Sequence, residues 1–170
     1  MTKSYQLLIV GGGAAGIATA SSLKKRNPKL DICIIEPEDK HYYQPGWTMV
    51  GAGIFDKEET VREMRSVWPF GVARIKGAVV DFEPEKDRVI LSDGIEINYE
   101  VLIIAAGLKL DWDAVEGLRD SLGDNGVTSN YRYDLAPYTW ELLQKAKGRE
   151  ILFTQPPMPI KCAGAPQKAM

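Results

Sequence analysis

Cys162 lies in the run Lys161-Cys162-Ala163-Gly164-Ala165-Pro166, with a cation before it and small residues after it. A thiol becomes a nucleophile and an electron donor once it ionises. A helix beginning near Pro166 and the Lys161 ammonium would both favour the thiolate. Proline suits a first helical position, because the N–H it lacks would be unpaired there anyway. The small neighbours leave room for a planar ring to approach. A passive loop cysteine is the plainer alternative. Near the other end of the chain, Gly11-Gly12-Gly13-Ala14-Ala15-Gly16 matches G-x-G-x-x-G, with Gly11, Gly13 and Gly16 at the key places. Such glycines serve a tight turn, a close approach of backbone to pyrophosphate, and close helix–strand packing. Glu36 stands twenty residues past Gly16, where a carboxylate accepts hydrogen bonds from ribose hydroxyls and repels a 2′-phosphate. A redox thiol and a dinucleotide turn in one chain point to electron transfer between sulfur and a cofactor.

These groups need particular elements to hold them. Residues 5–10 (Tyr-Gln-Leu-Leu-Ile-Val) form an apolar run suited to a buried parallel strand. Ala14 to Lys25 is rich in helix formers, with Ile17, Ala18, Ala20 and Leu23 available to face a sheet, and Pro28 follows the expected end. Leu30–Ile35 reads as the second strand, completing a β-α-β unit of ~30 residues. Asp56 and Glu59 form a capping-box pattern for a short helix through Met64 or Arg65. Residues 72–106 read as several strands, with Asp93-Gly94 as a two-residue hairpin between 88–92 and 95–98. Val101–Ala105 reads as a further buried strand closing at Ala106-Gly107. A loop-rich stretch with Gly117, Gly123 and Gly126 follows, then a helix over 138–146, a strand over 150–154, and a proline-stiffened segment at 155–159. Only four residues follow Pro166, too few for a helix, so the chain is expected to be a fragment.

Composition excludes several classes. A length of 170 residues and a 45% hydrophobic fraction describe a globular core. The net charge of −2, with no basic stripe, gives no nucleic-acid surface. Two cysteines and one histidine, His41, leave no zinc site and no disulfide scaffold. No apolar stretch approaches the ~18 residues of a membrane span. The strand-like start leaves no room for a leader, so cytoplasmic synthesis without export is expected. Cys33, within Ile32–Ile35, reads as a core residue. His41, the four scattered tryptophans and Lys57-Glu58-Glu59 carry plainer readings of loop packing, core and solvated helix start.

The antiparallel insert and the strand ending in Ala105-Ala106-Gly107 resemble the two-part pattern of flavoproteins of the pyridine nucleotide-disulfide oxidoreductase superfamily. Within it, His41-Tyr42-Tyr43-Gln44-Pro45-Gly46-Trp47 and Lys161-Cys162-Ala163-Gly164-Ala165-Pro166-Gln167-Lys168 resemble sulfide:quinone oxidoreductases, as do Gly51-Ala52-Gly53, Ser129-Asn130-Tyr131 and Thr139-Trp140.

The resemblance implies an α/β, Rossmann-like FAD-binding fold, a parallel sheet with an antiparallel insert, incomplete here. Residues 1–110 would be the N-terminal part of the FAD domain. Residues 111–170 would be a linker and the start of a second Rossmann-like domain carrying the redox cysteine. FAD would be held by Gly11, Gly13, Ala14, Ala15, Gly16, Glu36, Pro37, Val79 near adenine, Ala105, Ala106 and Gly107, with Gln44 and Pro45 beside the flavin ring. Cys162 would be one of a catalytic pair, attacked as a disulfide by hydrosulfide, with electrons passing through FAD to a quinone. Sulfide and quinone are the implied substrates. Peripheral contact with the inner membrane through further C-terminal chain is the implied assembly; apart from the resemblance, self-association is expected to cover the sheet edge and apolar surface that missing segments would leave. A type II NADH:quinone dehydrogenase, a flavocytochrome sulfide dehydrogenase subunit, and a non-catalytic nucleotide-binding module stay open as alternatives.

Overall fold

The computed structural model describes residues 3–155 and 164. In chain order the elements are β1 (Lys3–Val10), α1 (Ala14–Arg26), β2 (Ile32–Ile35), β3 (Lys40–Tyr42), α2 (Gly46–Gly51), β4 (Val61–Glu63), α3 (Met64–Val67), β5 (Ala73–Ile75), β6 (Val79–Glu83), β7 (Arg88–Leu91), β8 (Glu96–Ile104), α4 (Leu118–Ser121) and α5 (Ala136–Lys145). The chain divides into two compact units, one containing the residues up to His41 with Arg62–Lys109, the other Tyr42–Val61 with the chain from Leu110 onward. The fold class is α/β and Rossmann-like.

The first unit is a six-stranded sheet in the order β5-β2-β1-β8-β7-β6. β5, β2, β1 and β8 run parallel, and β7 and β6 continue antiparallel. Strands covered on both faces need apolar residues in unbroken series, and β1 and β2 have them. Leu7, Ile9, Ile32 and Ile34 pack with Ala20 and Leu23 of α1. Leu8, Cys33 and Ile35 join Val89, Leu91, Ile97 and Tyr99 of the insert. Leu8, Ile9, Ile34 and Ile35 are each at most 1% exposed, and burying such a side chain stabilises by about 1.5–3 kcal/mol. Helix α1 turns Ala20 and Gly16 to the sheet, whereas Ala18, expected on that face, is exposed.

The hairpin forms where Asp93-Gly94 predicts it: Gly94 has φ +83°, and Arg88, Val89 and Ile90 pair with Asn98, Ile97 and Glu96. Several expectations need correction. The runs 95–98 and 101–105 are one strand, because β8 follows β1 in register from Lys3↔Ile97 to Val10↔Ile104. Val101 and Ile104 are exposed rather than buried. Pairing with β7 stops at Asn98, and no other strand among the described residues continues along that edge. β2 begins at Ile32, not Leu30. The run 150–154 forms no strand; Ile151, Leu152 and Phe153 are exposed, and strand propensity without a partner strand makes no ladder.

The second unit centres on α2 and α5, with Trp47, Val50 and Ala136 buried and Tyr133 packed against them. The capping box is formed in both directions between Asp56 and Glu59, yet it opens a single 3-10 turn, Lys57–Thr60. The chain then extends into β4, which pairs with β3, before the short α3. The sequence pattern predicts one helix through Met64 or Arg65 here; the extended Val61 ends it. Helix α5 starts at Ala136, two residues earlier than the sequence pattern places it, with Pro137 in its first turn. No helix among the described residues is long and apolar enough to cross a membrane.

Candidate functional site

Three strand ends meet at the glycine turn. Gly11 leaves β1 with φ +105°, a conformation that only glycine adopts without cost. Its N–H donates to the Ile35 carbonyl at the end of β2 (2.9 Å), and the Ala105 N–H donates to the Val10 carbonyl (2.7 Å). A Cβ on Gly11 would stand 2.4 Å from the Ala105 carbonyl oxygen, and one on Gly16 would stand 1.9 Å from the Gly11 carbonyl oxygen. The turn is therefore closed on its protein side by backbone. Gly13 differs: it precedes α1 as the N-cap, and nothing lies within 4 Å of where its Cβ would be. Ala14 and Ala15 are exposed beside it, and the first turn of α1 holds no acidic residue. The free N–H groups and positive dipole end of a thirteen-residue helix thus face outward at this point.

Glu36 is fixed at the edge of this turn. One carboxylate oxygen accepts the Gly12 N–H (2.7 Å) and the other accepts the Glu38 N–H (2.8 Å), with the residue 9% exposed. Backbone donors set the direction of a carboxylate that is almost buried, and each charged hydrogen bond of this kind is worth about 1.5–3 kcal/mol. Gly12, in the middle of the glycine triplet, thereby contributes an N–H that fingerprint reasoning overlooks. Its signal is faint, an extra glycine between the two fingerprint ones; a Cβ on Gly12 itself would crowd the Glu36 side chain at 2.8 Å.

The remaining predicted residues distribute between the units. Gly11, Gly13, Ala14, Ala15, Gly16, Glu36, Pro37, Val79, Ala105, Ala106 and Gly107 belong to the first. Pro37, Ala106 and Gly107 are exposed, and Gly107 has φ +77°. Val79 opens β6 and packs against the cluster containing Ile35. Gln44 and Pro45 belong to the second unit, where Pro45 is the exposed N-cap residue of α2 and the Gln44 carbonyl accepts the Trp47 N–H (3.0 Å). Behind them Tyr42, Trp47 and Tyr133 form an aromatic cluster with ring centroids 5.0–6.2 Å apart.

Of the two thiols, Cys162 lies outside the described residues. Cys33 is fully buried on β2. Burial, the leading cause, pushes its thiol up to about 11, outweighing the hydrogen bond with Tyr5 that pulls it down. It is a core residue with no nucleophile at neutral pH.

The family model described as pyridine nucleotide-disulphide oxidoreductase matches residues 5–136. The chain belongs to the pyridine nucleotide-disulphide oxidoreductase family. FAD is the cofactor of this family. The chain is 46% identical over 167 residues to the mitochondrial sulfide:quinone oxidoreductase of Dictyostelium discoideum, covering 97% of this chain and 37% of that protein. It is 42% identical to the mouse mitochondrial sulfide:quinone oxidoreductase, covering 98% of this chain and again 37% of the relative. The solved sulfide:quinone oxidoreductase of Aquifex aeolicus superposes with a TM-score of 0.67 at 25% identity, covering 86% of this chain and 32% of that one. The chain therefore spans little more than a third of the length of the curated relatives it matches.

Proposed function

We propose that these 170 residues are the FAD-anchoring part of a sulfide:quinone oxidoreductase, with Cys162 as one of its two redox cysteines. The observation that carries this reading is the extent of the likeness to the Dictyostelium enzyme. It covers 97% of the chain, so it includes position 162 at whichever end the few unaligned residues fall. The cofactor assignment is supported by Gly13, the glycine of the Gly11–Gly16 turn that is left open, at the start of α1. Pyrophosphate is held there by helix N–H groups, with Gly11 and Gly16 allowing the tight turn. Glu36, aimed by two backbone N–H groups, takes the ribose hydroxyls. Ala14, Ala15, Pro37, Val79, Ala105, Ala106 and Gly107 line the same cofactor, and Gln44 with Pro45 lies by its ring.

When bound, FAD accepts two electrons from the sulfur centre and releases them to a quinone. The protein supplies the sulfur chemistry. Hydrosulfide attacks a disulfide formed by Cys162 and a second thiol. One cysteine gains a persulfide sulfur and its partner leaves as a thiolate, faster as that thiolate is more stable. Buried Cys33 is excluded as that partner, so the second thiol lies outside these 170 residues. In this reading the residues after 110 begin the second Rossmann-like domain, and the whole protein sits peripherally on a membrane that holds its quinone.

The test uses the longer protein carrying this segment, under anaerobic conditions. Sulfide is expected to bleach the flavin absorbance. Cys162→Ser is expected to retain FAD and to lose the bleaching by at least about 100-fold, the order seen when a nucleophile is removed. Unchanged bleaching in that variant overturns the role of Cys162. Bleaching by NADH and not by sulfide favours an NADH:quinone dehydrogenase instead.

A further inference from the structure

The carboxylate of Glu36 is aimed by the Glu38 N–H, and the other end of residue 38 is also held. Arg74, on the edge strand β5, donates from Nη2 to the Glu38 carbonyl (2.6 Å) and to Asp39 Oδ1 (3.1 Å). Asp39 is shared with Lys76, which pairs with its second oxygen. The Arg74 guanidinium lies over the Trp68 ring, 5.4 Å from its centroid. Trp68 in turn is pinned by its indole N–H donating to the Val72 carbonyl (2.9 Å). β5 runs parallel to β2 with Arg74 beside Ile34, and the Glu36 N–H donates to the Ile75 carbonyl (3.0 Å). A connected path thus runs from Trp68 through Arg74 and the backbone of residue 38 to the Glu36 carboxylate. Every member of it belongs to the first unit.

We infer that Arg74 is a positioning residue for the ribose of the bound dinucleotide, acting through Glu38 on Glu36. This rests on the reading of Glu36 as the ribose acceptor. After the buried Glu36, residues 37–39 leave β2 as an exposed connection, which on its own has no reason to keep one conformation. The guanidinium gives it one, because its Nη2 reaches a carbonyl and a carboxylate together while the planar group lies over an aromatic face. Asp39 serves to draw Arg74 and Lys76 to the same side of the turn. Its carboxyl is held below the usual range, chiefly by the Lys76 hydrogen bond and then by Arg74. The arginine needs no contact with the ligand for this role; it acts by holding the carbonyl end of the residue whose N–H orients Glu36.

The inference is tested on the 170-residue chain by calorimetric titration with ADP and with 2′-deoxy-ADP, which differ only in one ribose hydroxyl. A charged hydrogen bond to that hydroxyl predicts a preference for ADP of about tenfold in the unmodified chain. Arg74→Met keeps the stem over Trp68 and removes the donors. It is expected to reduce the preference to about twofold while leaving the affinity for 2′-deoxy-ADP within about twofold. An equal loss of affinity for both ligands in a folded Arg74→Met would overturn the inference. So would a tenfold preference that survives in Arg74→Met. No preference in the unmodified chain would sink the ribose role of Glu36, and this inference with it. If Arg74→Met does not fold, Arg74→Lys replaces it: the charge is kept and the planar group that lies over Trp68 while Nη2 bonds residues 38 and 39 is lost. The preference is then expected to fall at least threefold, and its full retention overturns the inference.

Discussion

Two glycine-dense segments, Gly11–Gly16 and Gly46–Gly53, use the same residue toward opposite ends. Around α2 every one of the three glycines is met by a side chain. A Cβ on Gly46 would stand 2.9 Å from Thr60 and Tyr43 atoms, one on Gly51 2.4 Å from Asn130 Oδ1, and one on Gly53 2.4 Å from the Trp140 ring. Protein fills the room that the missing side chains leave. At the turn after β1, Gly11 and Gly16 are likewise closed, but by backbone, and Gly13 alone opens on nothing. Glycine count therefore does not mark a ligand site. Within these two segments the one unfilled glycine, Gly13, stands at the head of the thirteen-residue helix α1.

The largest effect that tests this contrast belongs to Gly16→Ala. Its Cβ would collide with the Gly11 carbonyl at 1.9 Å, and neither backbone segment can retreat without parting α1 from β1. A loss of about 3 kcal/mol in urea unfolding is expected, at the top of the range for overpacking, with FAD uptake lost at the same time. Stability unchanged by this variant would show that the turn is not closed on its protein side.

Gly51→Ala is expected to cost about 2 kcal/mol, because Asn130 is a side chain and can yield in part. The neighbour makes this prediction sharper. Asn130→Ala removes the obstacle, so the double variant should regain about 1 kcal/mol over the sum of the single ones. Additive losses would mean that Asn130 does not fill the space at Gly51. FAD affinity, referred to the folded fraction, should be unchanged in Asn130→Ala if this glycine serves packing alone.

How much of this was legible beforehand follows from the range of the interactions. The Asp93-Gly94 hairpin and the Gly11–Gly16 turn are written in adjacent residues, and both form where their sequence predicts. The Asp56–Glu59 box was equally legible, but the helix expected after it depended on what Val61 would pair with, and β3 decides that. The 150–154 run has strand-forming residues and no partner strand among the described residues. Val101 and Ile104 read as buried because their neighbours in sequence are apolar, whereas exposure is set by what lies on the far edge of β8. Arg74 was invisible for a related reason: its partner Glu38 stands 36 positions away, and only the parallel register of β5 on β2 brings them together. The role of Cys162 stays a proposal resting on its flanking residues and a family resemblance, since no local pattern separates a redox cysteine from a passive one.

The smallest change in stability should accompany a clear loss of binding. Gly13 has φ −70° and ψ −172°, an extended conformation open to any residue, and it caps α1 with no side-chain hydrogen bond. Serine is a better N-cap than glycine by a few tenths of a kcal/mol, because its hydroxyl accepts an N–H of the first turn. Gly13→Ser is therefore expected to unfold in urea at the same stability or about 0.3 kcal/mol higher. Yet the added atoms occupy the one open position of the turn and satisfy a donor that pyrophosphate would otherwise take. FAD affinity, read by quenching of flavin fluorescence, should fall at least about tenfold. A variant that is more stable and binds less separates the glycine kept for a ligand from the glycines kept for packing. If Gly13→Ser binds FAD as the unmodified chain does, the open glycine is only an unfilled turn, and the contrast drawn between the two segments fails at its central point.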